Sequence, residues 1–387
     1  MSRSSMRLKD FALPPLRDAL RVLIKALIIL TVANVVLLAA DINPVHALIR
    51  LNTFDLLGKA RTRLIYPGDL ANGQLPVEAL LAAHAAGTPK PAGEYRVFLL
   101  GDAGIAGWGV PDGDTLADEL NELALRRIGQ RVVVYNLAYP QPSALRDLLI
   151  LDAALAYEPD LIVWFVTPET LNNAPSADES NPVFYEINAD RLAALAEEYP
   201  DLVGGWVQAR NLLPAGPEGP RLTTLRDQGL LPIWLRSLSY PFRQAHLARL
   251  PDPPEGLPPP PRPRYTMQHP GFRNMPDNVW DILRAGCRAA GAGGAELVVV
   301  NQPIAVGEEQ GAVASYNQRY GREMYDRYRE ALVWFTDYYG LWYVDLWDAI
   351  PPGRFMDAPT HLDALGHKML AAQLQNVLTG QGGSACR

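Results

Sequence analysis

Residues 96–109 read Arg96-Val97-Phe98-Leu99-Leu100 and then Gly101-Asp102-Ala103-Gly104-Ile105-Ala106-Gly107-Trp108-Gly109. The short apolar run predicts a strand buried on both faces. The glycine-rich segment behind it predicts a turn that closes tightly and brings backbone amides to a ligand. Four more runs repeat the strand pattern: Arg131–Tyr135, Leu161–Val166, Glu296–Val300 and Leu341–Asp345. Helical periodicity fills the gaps over Thr115–Arg127, Ser143–Tyr157, Asn278–Gly291, Tyr316–Tyr339 and Leu362–Leu378. Strand and helix alternating in this way predict an α/β fold, a doubly wound parallel sheet with helices on both faces. Sites in such folds form outside the carboxyl ends of the strands.

A second chemical segment lies near the C-terminus. Asp357-Ala-Pro-Thr-His361-Leu-Asp-Ala-Leu-Gly366-His367 follows the last strand and opens the last helix. On the same sheet edge it would aim His361 and a carboxylate at the first turn. Asn301-Gln302 ends the fourth run, where its amides would line the same cleft. His367 falls on the helix and is expected at the surface. The aromatic series from Tyr316 to Trp347 is read as a long amphipathic helix packed on the sheet, with Arg319, Arg322, Arg327 and Arg329 on its solvated face.

From about 176 to 273 the alternation fails. Eight of the thirteen residues 251–263 are proline, a composition that favours extended polyproline II and cannot join a sheet. We read 176–273 as an insertion between the third and fourth core strands.

The N-terminus is set apart by charge. Residues 1–25 hold six basic residues against Asp10 and Asp18, and Ala26–Ala40 carries no charge. With Lys25 and Arg21 snorkelling, the apolar stretch 22–40 approaches the ~20 residues that cross a bilayer. Basic residues ahead of it predict a cytoplasmic N-terminus and a domain on the outer face. A signal peptide cleaved near Val45-His46-Ala47 is the competing reading. The expected organisation is a basic cytoplasmic segment over 1–25, a transmembrane anchor over 22–40 embedded in the lipid bilayer, a membrane-proximal linker over 41–93 and the α/β domain over 94–387.

With 387 residues, 48% of them hydrophobic and 20% charged, the chain is no disordered or fibrous protein. A net charge of −7 argues against nucleic acid as a partner, since phosphate binders need a basic face. Cys287 and Cys386, far apart in the chain, predict neither a disulfide framework nor a cysteine zinc site. Asp102, Glu169, Asp357 and His361 lack tight ligand spacing, so no metal and no cofactor is expected.

The two chemical segments resemble the SGNH (GDSL-type) hydrolases. That family has Gly-Asp-Ser-x-x-x-Gly after its first strand and an Asp and a His just before its final helix. The resemblance covers roughly 94–175 and 278–380 and implies a three-layer, flavodoxin-like sheet and acyl- or acetyl-ester chemistry. A looser likeness reaches membrane-anchored members that accompany membrane-bound O-acyltransferases, such as the D-alanyl transfer protein of teichoic-acid modification. It implies such an acyltransferase as partner, and envelope glycans as substrate.

Carried over position by position, Gly101 and Asp102 form the structural turn, and Ala103 stands where the family has its serine nucleophile. Gly104 and Gly107 complete the first block. Asp357 and His361 stand for the dyad, with one residue more between them than the family has. Counting from Asn136 and Pro159 puts the oxyanion donors at about Gln141 and Glu169, and Asn301 is a further binding candidate. A carboxylate at position 169 would repel an oxyanion, and an alanine has no lone pair with which to attack an ester. Natural loss of the nucleophile, an engineered Ser→Ala change, and chemistry through His361 without a covalent step all remain open. The domain is therefore read either as a hydrolase-like protein acting on acyl esters or as a pseudo-hydrolase serving as a binding subunit.

Overall fold

The computed structural model describes residues 16–39, 62–64, 76–82, 84–171, 182–205, 207, 279–307, 315–317 and 319–380. The chain divides into two compact units, Met1–Ala47 and Leu48–Arg387. In the first, Leu16–Ala39 is a 24-residue helix, α1. Among the described residues no helix is long and apolar enough to cross a membrane. The anchor expected over 22–40 is thus not shown by the structure.

The second unit is an α/β domain around a six-stranded sheet ordered β2-β3-β1-β4-β5-β6. The strands are β1 Glu94–Leu100, β2 Arg126–Arg127, β3 Gln130–Asn136, β4 Leu161–Val166, β5 Glu296–Asn301 and β6 Trp342–Asp345. Five are mutually parallel. The sheet is mixed rather than purely parallel, because β2 pairs antiparallel with β3. The expected helix Thr115–Arg127 stops early, and the chain turns into this hairpin through Ile128 and Gly129, both at positive φ. Those are the dihedrals of a tight two-residue turn.

β1 and β4 are buried at every residue, as strands covered on both faces must be. One face packs α4 (Leu116–Glu122) and α10 (Ala364–Thr379) against Val97, Leu99, Val163 and Val298. The other packs α5 (Ala144–Ala154) and α8 (Val279–Ala292), where the Trp164 ring lies against Gly286 and its indole N–H donates to Asp147 at 2.9 Å. The chain leaves β1 for β3 on one side and returns to β4 on the other. The carboxyl end of β1 is therefore a topological switch point, where open α/β sheets place their clefts.

Other expectations need correcting. The segment read as a linker over 41–93 contributes to the core of the second unit. Leu64 is buried, as are Val77, Leu80 and Leu81 of α2 (Val77–Ala82), and the buried Arg96 donates from Nη1 to the Thr88 carbonyl at 3.1 Å. The helix expected from Tyr316 begins only at Arg322 (α9, Arg322–Tyr339). Ahead of it the Asn317 carboxamide accepts from the amides of Arg319 and Tyr320 at 2.9 Å, holding those residues in a turn that competes with helix. Cys287 is disulfide-bonded, where chain separation alone predicts no disulfide. The first part of the expected insertion is ordered: α6 (Pro182–Ile187) and α7 (Ala189–Glu198) dock onto the α5 face, with Arg191 pairing Glu78 at 2.7 Å and also pairing Asp152. The proline-rich stretch 251–263 lies outside the described residues.

Candidate functional site

The site grows from the turn that succeeds β1. Asp102 caps a one-turn helix, α3 (Ala103–Ala106), its Oδ1 accepting from the Gly104 amide at 2.8 Å. This is N-cap chemistry. It puts Ala103 at the first helical position, 9% exposed. Gly107 ends the helix at φ +75° and returns its amide to the Ala103 and Gly104 carbonyls, a left-handed C-cap that glycine adopts without strain. Asn136, at the carboxyl end of β3, supports the turn by donating to the Ile105 carbonyl at 2.9 Å.

The return segment 357–363 lies against this turn. A Cβ on Gly104 would sit 2.1 Å from the Thr360 carbonyl oxygen and 2.6 Å from Gln302 Nε2, so only glycine allows the approach. The residue after Thr360 is His361, whose Nδ1 stands 2.8 Å from Asp357 Oδ1. The spacing of four residues, one longer than the resemblance implies, is accommodated in a loop tied by two backbone bonds, His361 amide to Ala358 carbonyl and Met356 amide to His361 carbonyl. Asp357 holding Nδ1 leaves Nε2 as the proton-accepting atom. The Asp357 side chain is 63% exposed and that of His361 16%, so solvent screens the pair.

Glu169 lies beyond β4 on the same edge. Its Oε1 pairs with Arg319 Nε at 2.5 Å, and its Oε2 accepts from the buried Tyr320 hydroxyl. The carboxylate is therefore neutralised, not bare. Burial opposes the Arg319 charge, but Glu169, with Tyr320 and Asp102, raises its pKa above the ordinary value. Burial, with Glu169 adding to it, pushes the Tyr320 phenol well up. Arg319 thus belongs to the sheet edge and not to the solvated face of α9, from which it is separated by Gly321.

Asn301 does not line the cleft. It is fully buried, donates to Asp345 at 2.9 Å and accepts from Tyr325 and Tyr328. Its neighbour Gln302 reaches the turn instead, donating from Nε2 to Asp102 Oδ1 at 2.9 Å. Gln141 is half-buried, and its carbonyl accepts from Arg146 at 2.8 Å.

Sequence reasoning missed two residues beneath the turn. Arg63, 3% exposed, donates to the Gly107 and Val110 carbonyls at 2.5 Å each and pairs with Asp112 at 2.7 Å. His367, expected at the surface, is fully buried, and neither ring nitrogen has a hydrogen-bond partner among the described residues. Burial, with the Arg63 and His361 charges adding to it, lowers its pKa to about 3. Arg63 carries no local motif; His367 was the one signal, since a histidine in the first turn of an amphipathic helix can lie on the face that α10 packs inward. Among the described residues no three His, Cys, Asp or Glu side chains gather as metal ligands.

The arrangement thus sets the His361–Asp357 pair on a segment packed against the turn that carries Ala103, with the Arg319–Glu169 ion pair on the same sheet edge. It defines a class: a three-layer α/β domain with a histidine dyad at the carboxyl edge of its sheet. No family model matches the chain, nor does any curated protein. Among solved structures, a GDSL-like lipase from Bacteroides thetaiotaomicron is similar at 10% identity and TM-score 0.38, over 78% of this chain and 96% of the other. An acetylxylan esterase from Geobacillus stearothermophilus is similar at 12% and 0.37, over 74% and 95%. An extracellular lipase from Streptomyces rimosus is similar at 12% and 0.31, over 73% and 99%. Likenesses this distant carry no functional weight, and the chemistry of the site rests on its own geometry.

Proposed function

We propose that residues 48–387 form an SGNH-type ester-recognition domain that engages acyl or acetyl esters of cell-envelope glycans without forming an acyl-enzyme. One observation carries this reading: Ala103 holds the first position of α3 while the Asp357–His361 pair is assembled on the segment packed against that turn. A serine-type acyl transfer needs an oxygen at that position. Binding of an ester, and proton acceptance by His361, need none. On this reading the domain works on the outer face of a membrane, tethered through 22–40, beside a membrane-bound O-acyltransferase. The basic residues preceding 22–40 and a disulfide at Cys287, a bond that persists in oxidising compartments, support that location.

The test uses the full chain in detergent, treated with a fluorophosphonate probe as the native protein, as Ala103→Ser, and as Ala103→Ser with His361→Ala. The native chain is expected to remain unlabelled, Ala103→Ser to label, and the double variant to lose labelling. Labelling of the native chain would reveal a nucleophile elsewhere and overturn the proposal. An inert Ala103→Ser chain would overturn the assignment of the dyad.

A further inference from the structure

Counting along the resemblance puts Glu169 at about the position of an oxyanion donor, and in the structure both of its oxygens have partners. Tyr320 donates to one oxygen, and Arg319 Nε forms an ion pair with the other at 2.5 Å. An arginine tethered through Nε keeps its four Nη hydrogens, a planar fork suited to oxygen acceptors. The Arg319 side chain is 39% exposed beside a Glu169 side chain only 14% exposed, so the guanidinium keeps solvent-accessible surface next to a carboxylate that has little. Asp102, the cap of the Ala103 turn, is close enough for its charge to act on the guanidinium. The Asn317 turn fixes the backbone amide of Arg319 at 2.9 Å, so the cation is held from both ends.

We propose that Arg319, oriented by Glu169, supplies the donor of this cleft, its Nη fork hydrogen-bonding the carbonyl oxygen of the bound ester and the carboxylate of the free acid. The substrate class is then a short acyl ester whose carbonyl points toward the 169–319 pair. Glu169 is a positioning residue, and the repulsion its charge would exert is cancelled by the cation it holds. A guanidinium to an oxyanion is a charge-assisted bond, stronger than a neutral donor makes. The proposal rests on the ester-recognition reading, and its experiment separates the two.

Acetate is titrated into the full native chain, Arg319→Gln and Arg319→Lys, with binding read by ligand-observed NMR and thermal unfolding of each variant alongside. The expected result is at least about a tenfold rise in Kd for Arg319→Gln. Arg319→Lys keeps a charge for Glu169 and loses the fork, so an intermediate Kd is expected, and it decides the matter should Arg319→Gln fail to fold. Glu169→Gln, which frees the cation without removing it, is expected to weaken acetate binding less than Arg319→Gln does. Equal Kd values for the native chain and both arginine variants would overturn the proposal, even if Ala103→Ser labels through His361. Conversely, Arg319-dependent acetate binding in a chain whose Ala103→Ser variant stays inert would uphold the donor and refute the ester-recognition reading.

Discussion

Replacing Gly104 by alanine sets two physical effects against each other, and their difference tests the packing of the site. In a helix, alanine is favoured over glycine by about 1 kcal/mol, so local propensity alone makes Gly104→Ala stabilising. The structure puts the new methyl 2.1 Å from the Thr360 carbonyl oxygen and 2.6 Å from Gln302 Nε2. Thr360 would have to retreat by about 1.4 Å to reach ordinary contact. It is buried, and it carries His361 with it. Overpacking of this kind costs roughly 1–3 kcal/mol, occasionally more, and a clash with backbone on one side and the Asp102-bound amide on the other belongs at the upper end. The expected net loss is about 2 kcal/mol, read by urea denaturation monitored with circular dichroism. In the Ala103→Ser background the same change should also abolish fluorophosphonate labelling, because His361 is displaced. A Gly104→Ala chain as stable as the native one would refute the close approach of the 357–361 segment to the turn.

The same geometry sets three further outcomes. His367 has its pKa lowered to about 3 in the folded chain against an ordinary 6.5, so below 6.5 the unfolded state binds the extra proton. Its contribution to stability is complete above pH 6.5 and is lost as pH falls towards 3, at up to about 1.4 kcal/mol per pH unit; His367→Leu should flatten that limb of the unfolding profile, and an unchanged slope would show that other groups set it. Arg63→Ala removes the donor of the Gly107 and Val110 carbonyls and the partner of Asp112, leaving buried acceptors unpaired at a cost of about 3 kcal/mol, measured by denaturation; Arg63→Lys should fall between. Ile128→Asn, at a positive-φ turn position 76% exposed, should stabilise by about 1 kcal/mol, since asparagine tolerates that conformation and a β-branched residue does not; a destabilised variant in thermal unfolding would contradict the turn assignment.

The sheet is legible in the sequence wherever burial on both faces demands unbroken apolar runs. Leu161–Val166 coincides with β4. What stays hidden depends on contacts far apart in sequence. Nothing local marks Arg126–Arg127 as a strand; the pairing with Gln130 and Arg131 makes it one. Nothing around Arg63 announces a side chain that fastens a turn more than forty residues on. The Tyr316–Tyr339 reading fails at its start because aromatic periodicity continues through a segment that the Asn317 side chain holds in a turn.

The candidate site divides along the same line. Gly101, Asp102, Gly104, Asp357 and His361 form a local pattern, and the structure gathers them at the switch point beside β1. Gln141 and Glu169 are placed by counting, and for Glu169 counting gives no sign of the partners it has in the structure. A carboxylate there is repulsive only if it is unpaired, and its partner is 150 residues away, on a loop that the periodicity assigns to a helix. Once Arg319 is set beside it, a residue that reads in isolation as decay of an oxyanion site becomes the one that orients a replacement donor. On the proposed reading, Ala103 and the His361–Asp357 pair then no longer conflict: an ester can be bound and its carbonyl hydrogen-bonded without an attacking oxygen at position 103. A cleft that had lost all selection would have no reason to keep a cation, its carboxylate and the Tyr320 hydroxyl in mutual contact, and the acetate titration of the arginine variants measures whether that contact serves a ligand or only the fold.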